Sequence, residues 1–423
     1  MTRRRSLVLC LLAMLAALAT TLPIPARADD DGKDDGKKVT IRCDKNKTIT
    51  DALAQHQGGP LTVEIIGTCL EHVTVSRSDV TLVAGAPGAA IQGTRTDLDT
   101  LTVKADRFVL DGLVPDGLSV SGGRNAIVVT GASQAQLRNC TAHASGSGIV
   151  GGIGILFSQG ASGSVDACRS SLNPVDGIFL DAANVTITNS KLEKNGRNGV
   201  FIFGASYGKI GFTNAFLPGP NVINDNGGNG IHVTQNSLGL IFGNEVKGNG
   251  TNPGSPVGRF GILLFGARAD LPGGNTISGN AGPGIALNGS TAYIGDPGFG
   301  LPSTNTISGN STAGQTGPST PASGIGLFVA STAVLRNATV QSNNGAGVLL
   351  VGRSTLSVIS STVTGNSVNG IELGQGSMAI FQPPPFALSS ISGNAGIDLK
   401  CQDTESTFTG PLATSFTTNC TGF

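Results

Sequence analysis

Residues 176–202 read DGIFLDAANVTITNSKLEKNGRNGVFI, and this stretch sets the pattern for the chain. It opens on a polar residue, a glycine and an isoleucine. A short alternating strand follows, then a glycine/asparagine-type turn, a second strand around Val185-Thr186-Ile187, and Asn189 and Asn195. The opening then returns as Asn198-Gly199-Val200, 22 residues after Gly177. That period is too short for a domain and too long for a heptad, and it suits one coil of a solenoid. The mark recurs as Gly152-Ile153, Gly177-Ile178, Gly199-Val200, Gly230-Ile231, Gly261-Ile262, Gly284-Ile285, Gly324-Ile325, Gly347-Val348, Gly370-Ile371 and Gly396-Ile397. Four of its nine steps are 22 or 23 residues, and the longer ones read as the same coil with a loop inserted. A second mark, NTISGN, occurs at 275–280 and 305–310, with relatives at 362–366 (TVTGN) and 390–394 (SISGN).

These marks predict an all-β parallel solenoid. Alternation along a strand turns Ile178 and Leu180 inward and Phe179 and Asp181 outward. One coil cannot bury its own apolar face, so stacked coils share a continuous core. Glycine at coil corners allows positive φ, and asparagine at a repeated corner can bond to its counterparts above and below. Composition agrees: 63 of 423 residues are glycine, aromatics make up 4%, and there is no tryptophan. About twelve coils are expected, with an axis of ~55–60 Å from the strand spacing.

The repeated Gly-Ile strand opening, followed by NVTITNS and SGN, resembles the right-handed parallel β-helix of the pectin-lyase-like superfamily. The resemblance covers about residues 39–400. It implies the fold, but lyases, hydrolases, esterases, epimerases, adhesins and tailspikes share that scaffold. The segment VDGIFLDAANVTITNS resembles the polygalacturonase stretch that carries an Asn-Thr-Asp motif, yet Asn173-Pro174-Val175-Asp176 does not reproduce that triplet. The paired Asp of the next coil is replaced by Gly196-Arg197-Asn198, and Gly-His-Gly by Gly228-Asn229-Gly230. The basic Arg-x-Lys element, the Asp-Pro-His-Glu signature of alginate epimerases and the pectinesterase Gly-Asp-x-Asp motif are missing too. Gly295-Asp296 shares only the first two residues of the last.

Residues 1–28 read as a secretory signal: Arg3-Arg4-Arg5, an apolar run from Leu7 to Leu22, and Ala26-Arg27-Ala28 before the cut. The alternative, a membrane anchor, needs a longer run than one ending in Pro23 and Pro25. The expected mature chain is exported, periplasmic or extracellular, without membrane insertion after signal removal. Residues 29–38 (DDDGKDDGKK) read as a charged, disordered linker, with calcium binding as the alternative. Residues 39–400 form the expected β-helix. In it, 48–57 (TITDALAQHQ) place Ile49, Ala52 and Leu53 at helical spacing, with Thr48 or Thr50 as N-cap. This short helix is expected to cover the first coil's open edge. Residues 401–423 lack the repeat and read as a C-terminal cap.

Seven cysteines leave six after signal removal, an even count that points to disulfides in an exported chain. Cys140 and Cys168 sit at like positions of successive coils, ~4.8 Å apart and within disulfide reach. Cys43 and Cys69 would staple the N-terminal cap, and Cys401 and Cys420 the tail. The last pair closes a loop of about 20 residues, worth ~3 kcal/mol by chain entropy. No C-x-x-C or H-x-x-x-H spacing supports a metal site. With 27 basic and 27 acidic residues and few aromatics, nucleic acid is a poor partner. No pattern specifies an oligomeric state. Gly146–Gly151 fits G-x-G-x-x-G, but about one chance match is expected at this glycine content and no crossover helix follows. Residues 204–208 fit G-x-S-x-G at a coil corner, without the strand–turn–helix context that motif needs.

Chemistry on a solenoid is expected where residues of successive coils line up outside one sheet. Just before the mark lie Asp176, then Arg197 and Asn198, Asn229, and Arg259. On outward strand positions lie Phe179 and Asp181, then Phe201 and Phe203, His232 and Thr234, and Leu263 and Phe265. A polyuronate-cleaving site needs cations and a base, and a glycosidase needs two carboxylates. Asp176 and Asp181 are the carboxylate candidates, and Arg197, Arg259 and Lys194 the cations. Phe179, Phe201, Phe203, His232 and Phe265 are candidate carbohydrate contacts. Alternatively the polar corners are merely solvated, and the stripe of Phe179, Phe201, Phe203, Leu263, Phe265 and Phe328 lies under loops (205–220, 251–258 or 313–321), under the C-terminal tail, or in a subunit contact. Two functions follow: a secreted protein that binds or processes an acidic polysaccharide along its outer face, or a non-catalytic, adhesin-like scaffold. No cofactor is expected, except calcium if the chain is a lyase. A copper-centre maturation role, known for periplasmic β-helix relatives, finds little support in four histidines and three methionines.

Overall fold

Strands of three to six residues alternate apolar and polar along most of the chain, and each pairs in parallel with the strand three elements later. The result is a solenoid with three faces. One sheet has 15 strands and the other two have 13 each, so the expected coils are present, thirteen in number. The structure is a computed structural model describing residues 36–146, 151–212, 218–252, 258–295, 304–312, 322–383, 385–413 and 416–420. The expected signal (1–28), residues 29–35 of the expected linker, and most of the loops 251–258 and 313–321 lie outside the described residues. Residues Gly36–Phe423 form one unit.

The Gly-Ile mark opens the strands of one 13-stranded sheet, here the mark sheet. Ile155, Ile178, Val200, Ile231, Ile262, Ile285, Ile325, Val348, Ile371 and Leu399 are in register. All ten are fully buried in the single core that runs through the rod. Two of the marks read from sequence are therefore two residues out of register. The first strand opens at Gly154-Ile155 rather than Gly152-Ile153, because Ile155 and Phe157 are the pair that turns inward. The last opens at Asp398-Leu399 rather than Gly396-Ile397.

Three corners join the sheets, and each carries a polar ladder. Before the mark sheet, Asn173, Asn195, Asn226, Asn249, Asn280, Asn310, Asn343, Asn366 and Asn394 stack coil on coil. Each side-chain amide donates to the next carbonyl oxygen at 2.8–3.0 Å. A second ladder of Asn221, Asn244, Asn275 and Asn305 lines the corner after the 15-stranded sheet. NTISGN thus supplies one rung to each ladder. At the third corner the rungs are serines, from Ser290 through Ser331, Ser354 and Ser377 to Ser406. A buried corner leaves polar groups that need partners, and the ladders supply them without water.

Positive φ at glycine corners occurs as expected, for example at Gly248, Gly279 and Gly309 at 60–63°. The in-register mark glycines have another role. A Cβ on Gly199 would lie 2.9 Å from the Asn226 amide nitrogen, and one on Gly284 would lie 2.7 Å from that of Asn310. Glycine makes room for the next coil's asparagine rung. The last coil has no coil beyond it, so Asp398 can occupy the glycine position. Its carboxylate accepts from the final rung, Asn394, at 3.0 Å.

At the N-terminal end the helix Ile49–Gln55 buries Ile49, Ala52 and Leu53, with Thr48 as N-cap accepting from Asp51 N at 3.0 Å. Glu71 takes the free N–H groups of Ile49 and Thr50. The first strand is Lys37–Arg42, so it takes in two residues assigned to the linker. At the other end the repeat runs past residue 400: Leu399–Cys401 and Thr407–Thr409 are further strands, and only then does the chain cross the end, with Leu399 N bonded to Thr417 O. The six cysteines pair as Cys43–Cys69, Cys140–Cys168 and Cys401–Cys420, with Cα separations of 5.0, 4.6 and 5.0 Å.

Candidate functional site

The outward positions of the mark sheet form two rows. The first runs Leu156, Phe179, Phe201, His232, Leu263 and Ala286. Parallel pairing places like positions one above another, so rings from successive coils meet face to face. Phe179 stacks on Phe201 with centroids 4.8 Å apart, and Phe201 stacks on His232 at 4.8 Å. Phe203 meets Phe179 edge-on at 6.0 Å, and the Arg197 guanidinium lies 5.1 Å from the Phe201 centroid. Further along, Leu263 and Ala286 are buried with Phe260, and Phe328 packs against them. Rings stacked this way cover one another's faces and turn only edges outward.

His232 is enclosed in that stack. Burial, with a smaller contribution from the charge of Arg197, pushes its pKa down to about 4. Both ring nitrogens lack a hydrogen-bond partner among the described residues. The imidazole is therefore neutral at physiological pH and behaves as an aromatic rung.

The charged candidates are placed differently from one another. Asp176 is fully buried. Arg197 grips it with two nitrogens, through Nε at 3.0 Å and through Nη2, while Asn198 donates to Oδ1 from its backbone at 3.0 Å and its side chain at 2.9 Å. The same device occurs three coils earlier. Arg124 grips Asp99 at 2.9 and 2.7 Å, and Asn125 donates to it at 2.9 Å. A fully buried carboxylate with four donors holds a corner and is closed off from a substrate proton. Asn229 then donates to Asn198 at 3.0 Å, so Asp176 heads a short ladder. Asp181 stands at the far end of the strand Ile178–Asp181, half-buried. Five extended residues put it roughly 16 Å from Asp176, beyond the ~5–9.5 Å separation of paired glycosidase carboxylates. Arg259 donates through Nε to Gly250 O at 2.8 Å, tying an inserted loop. The structure thus joins Asp176 to Arg197, and it joins Arg197 to the aromatic stack. It does not bring Asp176, Asp181 and Arg259 to one point.

The second outward row holds Asp181 opposite Phe203, and Thr234, Phe265, Asn288 and Phe328 in sequence. Phe265 is 54% exposed. It has no ring partner among the described residues, and of the aromatic candidates it is the one that is exposed. Beside it a groove of about 460 Å³ crosses three coils, lined by Asn236–Leu238, Gly266–Arg268, Gly289 and Thr291. Sequence reading singled out Phe265 but not the groove, since its floor is made of what glycines omit. The ladder asparagines Asn221 and Asn244 were also missed, although their five-residue spacing to Asn226 and Asn249 repeats that of NTISGN.

The family model described as the right handed beta helix region matches residues 112–215, 176–359 and 255–411. The chain belongs to the right-handed β-helix family. Among solved structures, this β-helix is similar to the A-module of mannuronan C-5 epimerase AlgE4 from Azotobacter vinelandii. Identity is 15% and the TM-score 0.50, over 81% of this chain and 94% of that one. A mutant of the periplasmic alginate epimerase AlgG gives 14% identity and a TM-score of 0.50, over 74% and 76%. At such identities the likeness speaks for the fold. No curated protein matches the chain. Among the described residues of this β-helix, no group of three His, Cys, Asp or Glu side chains is placed to hold a metal ion, and no helix is long and apolar enough to cross a membrane.

Proposed function

We propose that this β-helix is an exported protein that binds an acidic polysaccharide along the outer face of the mark sheet. The observation that carries the reading is Phe265: an aromatic ring, more than half exposed, fixed on a rigid sheet. Polar Thr234 and Asn288 flank it in its row. An unstacked ring in such a setting is an anchor for an amphipathic ligand, and preorganised anchors cost little entropy on binding. The names of the solved structures with this fold include alginate epimerases, which agrees with a uronate-containing ligand.

Binding is favoured over turnover because Asp176 and Arg197 hold a corner, as Asp99 and Arg124 do. In this reading Phe179, Phe201, Phe203 and His232 are the rigid support beneath the bound chain. The test incubates the purified chain with polyuronates and with neutral glycans of equal length, with calcium and with a chelator. Bound fraction is measured by titration calorimetry and products by mass spectrometry. Saturable binding of polyuronates without new products supports the proposal. Unsaturated products overturn the non-catalytic part and identify a lyase, and shortened saturated products overturn it and identify a glycosidase. No binding to any glycan overturns the reading in favour of a scaffold.

A further inference from the structure

We infer that the groove beside Phe265 is a subsite for a single uronate unit, with Arg268 as its carboxylate ligand. The inference rests on the polysaccharide-binding reading and assigns where, and by which chemistry, the acid group is recognised. The groove lies at the corner between the mark sheet and the 15-stranded sheet. It is a shallow, open trough of about 460 Å³.

Its floor is a choice of sequence rather than a demand of the fold. Gly266 and Gly289 occupy the corner with φ of 56° and 54°. Neighbouring coils accept side chains in the same conformation, including Ala182, Gln235 and Val329 at 50–55°. Space does not require glycine either: a Cβ on Gly266 would meet nothing within 4 Å, and one on Gly289 only the Val329 carbonyl oxygen at 3.9 Å. Unlike the mark glycines, these two make room for nothing inside the protein. What they leave is an open trough, bounded by Gln235 and Asn236 on one side and by Val329 on the other.

The rim is chemically mixed in the way a sugar requires. Phe265, exposed and next in the chain to the lining residue Gly266, supplies an aromatic ring on the mark-sheet side. Asn236 and Thr291, both exposed, offer an amide and a hydroxyl for ring hydroxyls. Arg268 stands on the 15-stranded side with its side chain 64% exposed, paired to Asp270 at 3.2 Å. Exposed ion pairs of this kind contribute little, so the guanidinium is free to turn to a ligand carboxylate and bind it with two parallel hydrogen bonds.

Two variants test this by titration calorimetry against a uronate oligomer and its neutral counterpart. Gly289→Gln borrows the residue that Gln235 carries at a similar φ, so it fills the trough at the cost of the left-handed backbone penalty alone. Arg268→Ala removes the carboxylate ligand. Expected is a loss of roughly tenfold or more in affinity for both oligomers in Gly289→Gln, and a similar loss for the uronate alone in Arg268→Ala. The unfolding midpoint should match the wild type in Arg268→Ala and fall slightly in Gly289→Gln, which carries the left-handed backbone penalty. Wild-type-like binding by both variants overturns the subsite while leaving the polysaccharide reading intact. Equal loss for both oligomers in Arg268→Ala overturns the carboxylate assignment. Failure of the wild-type chain to bind any uronate oligomer overturns the parent reading and the subsite together.

Discussion

Replacing Asn249 by alanine removes one rung from the middle of the long asparagine ladder. Four hydrogen bonds pass through that side chain. Asn226 donates to its carbonyl oxygen from the backbone at 3.2 Å and from the side chain at 2.8 Å. Its own amide donates to Ile223 O and to Asn280 Oδ1, both at 3.0 Å. After the change, the Asn226 side chain keeps Leu192 O and Asn280 Oδ1 keeps the backbone of residue 249. The Asn226 backbone N–H is left buried without its rung. One orphaned buried donor at ~1–3 kcal/mol and three lost bonds at ~0.5–1.5 each give about 5 kcal/mol. That is a large part of the ~5–15 kcal/mol typical of a domain. The assay is guanidinium unfolding followed by circular dichroism, with amide exchange to locate the loss, since solenoids unfold by neighbouring units. Asn394→Ala, at the half-buried end of the ladder, should cost about half as much because water replaces the missing partner. Asn184→Ala, on an exposed strand position, should stay within ~0.5 kcal/mol. If Asn249→Ala shifts stability no more than Asn184→Ala, the buried ladder is not what holds this corner.

Gly230→Ala should cost about 1–3 kcal/mol by overpacking, since the new Cβ would lie 2.6 Å from a Val246 methyl and 2.8 Å from the Asn249 amide; Gly266→Ala, with nothing within 4 Å but φ at 56°, should cost only about 0.5–1 kcal/mol in the same assay, the left-handed penalty less glycine's chain entropy. His232 has its folded pKa lowered from 6.5 to about 4, so the stability of the neutral ring is fully present above pH 6.5 and is lost as pH falls towards 4. The loss is roughly 3 kcal/mol, and His232→Phe should remove that slope from a pH series of unfolding free energies. Leu172 is 60% exposed at φ 58°. Leu172→Gly should therefore stabilise by about 0.5–1 kcal/mol, the ~1–2 kcal/mol left-handed penalty less the added chain entropy of glycine.

The sequence by itself determined the solenoid, its inward rows and its capping helix. These follow from local rules: alternation fixes which side chains face in, and a repeat that cannot bury its apolar face alone must stack. Ile178 and Leu180 are inward and Phe179 outward as that logic requires. The cysteine positions were legible for the same reason, since equal places in successive coils are neighbours. What the tertiary structure decided was everything set by the coil above or below. The mark glycines are shaped by the next coil's asparagine, a cause that the sequence did not show, and sequence reading slipped two marks out of register. Asp176 looked like an acid at the head of a charged line, but burial and Arg197 turn it into a corner clasp. Phe179, Phe201 and His232 looked like sugar platforms, but stacking at the coil spacing hides their faces. Phe265 is left unstacked because its row neighbours are Thr234 and Asn288, and the groove near it has glycine on two coils, an empty space with no residue to announce it.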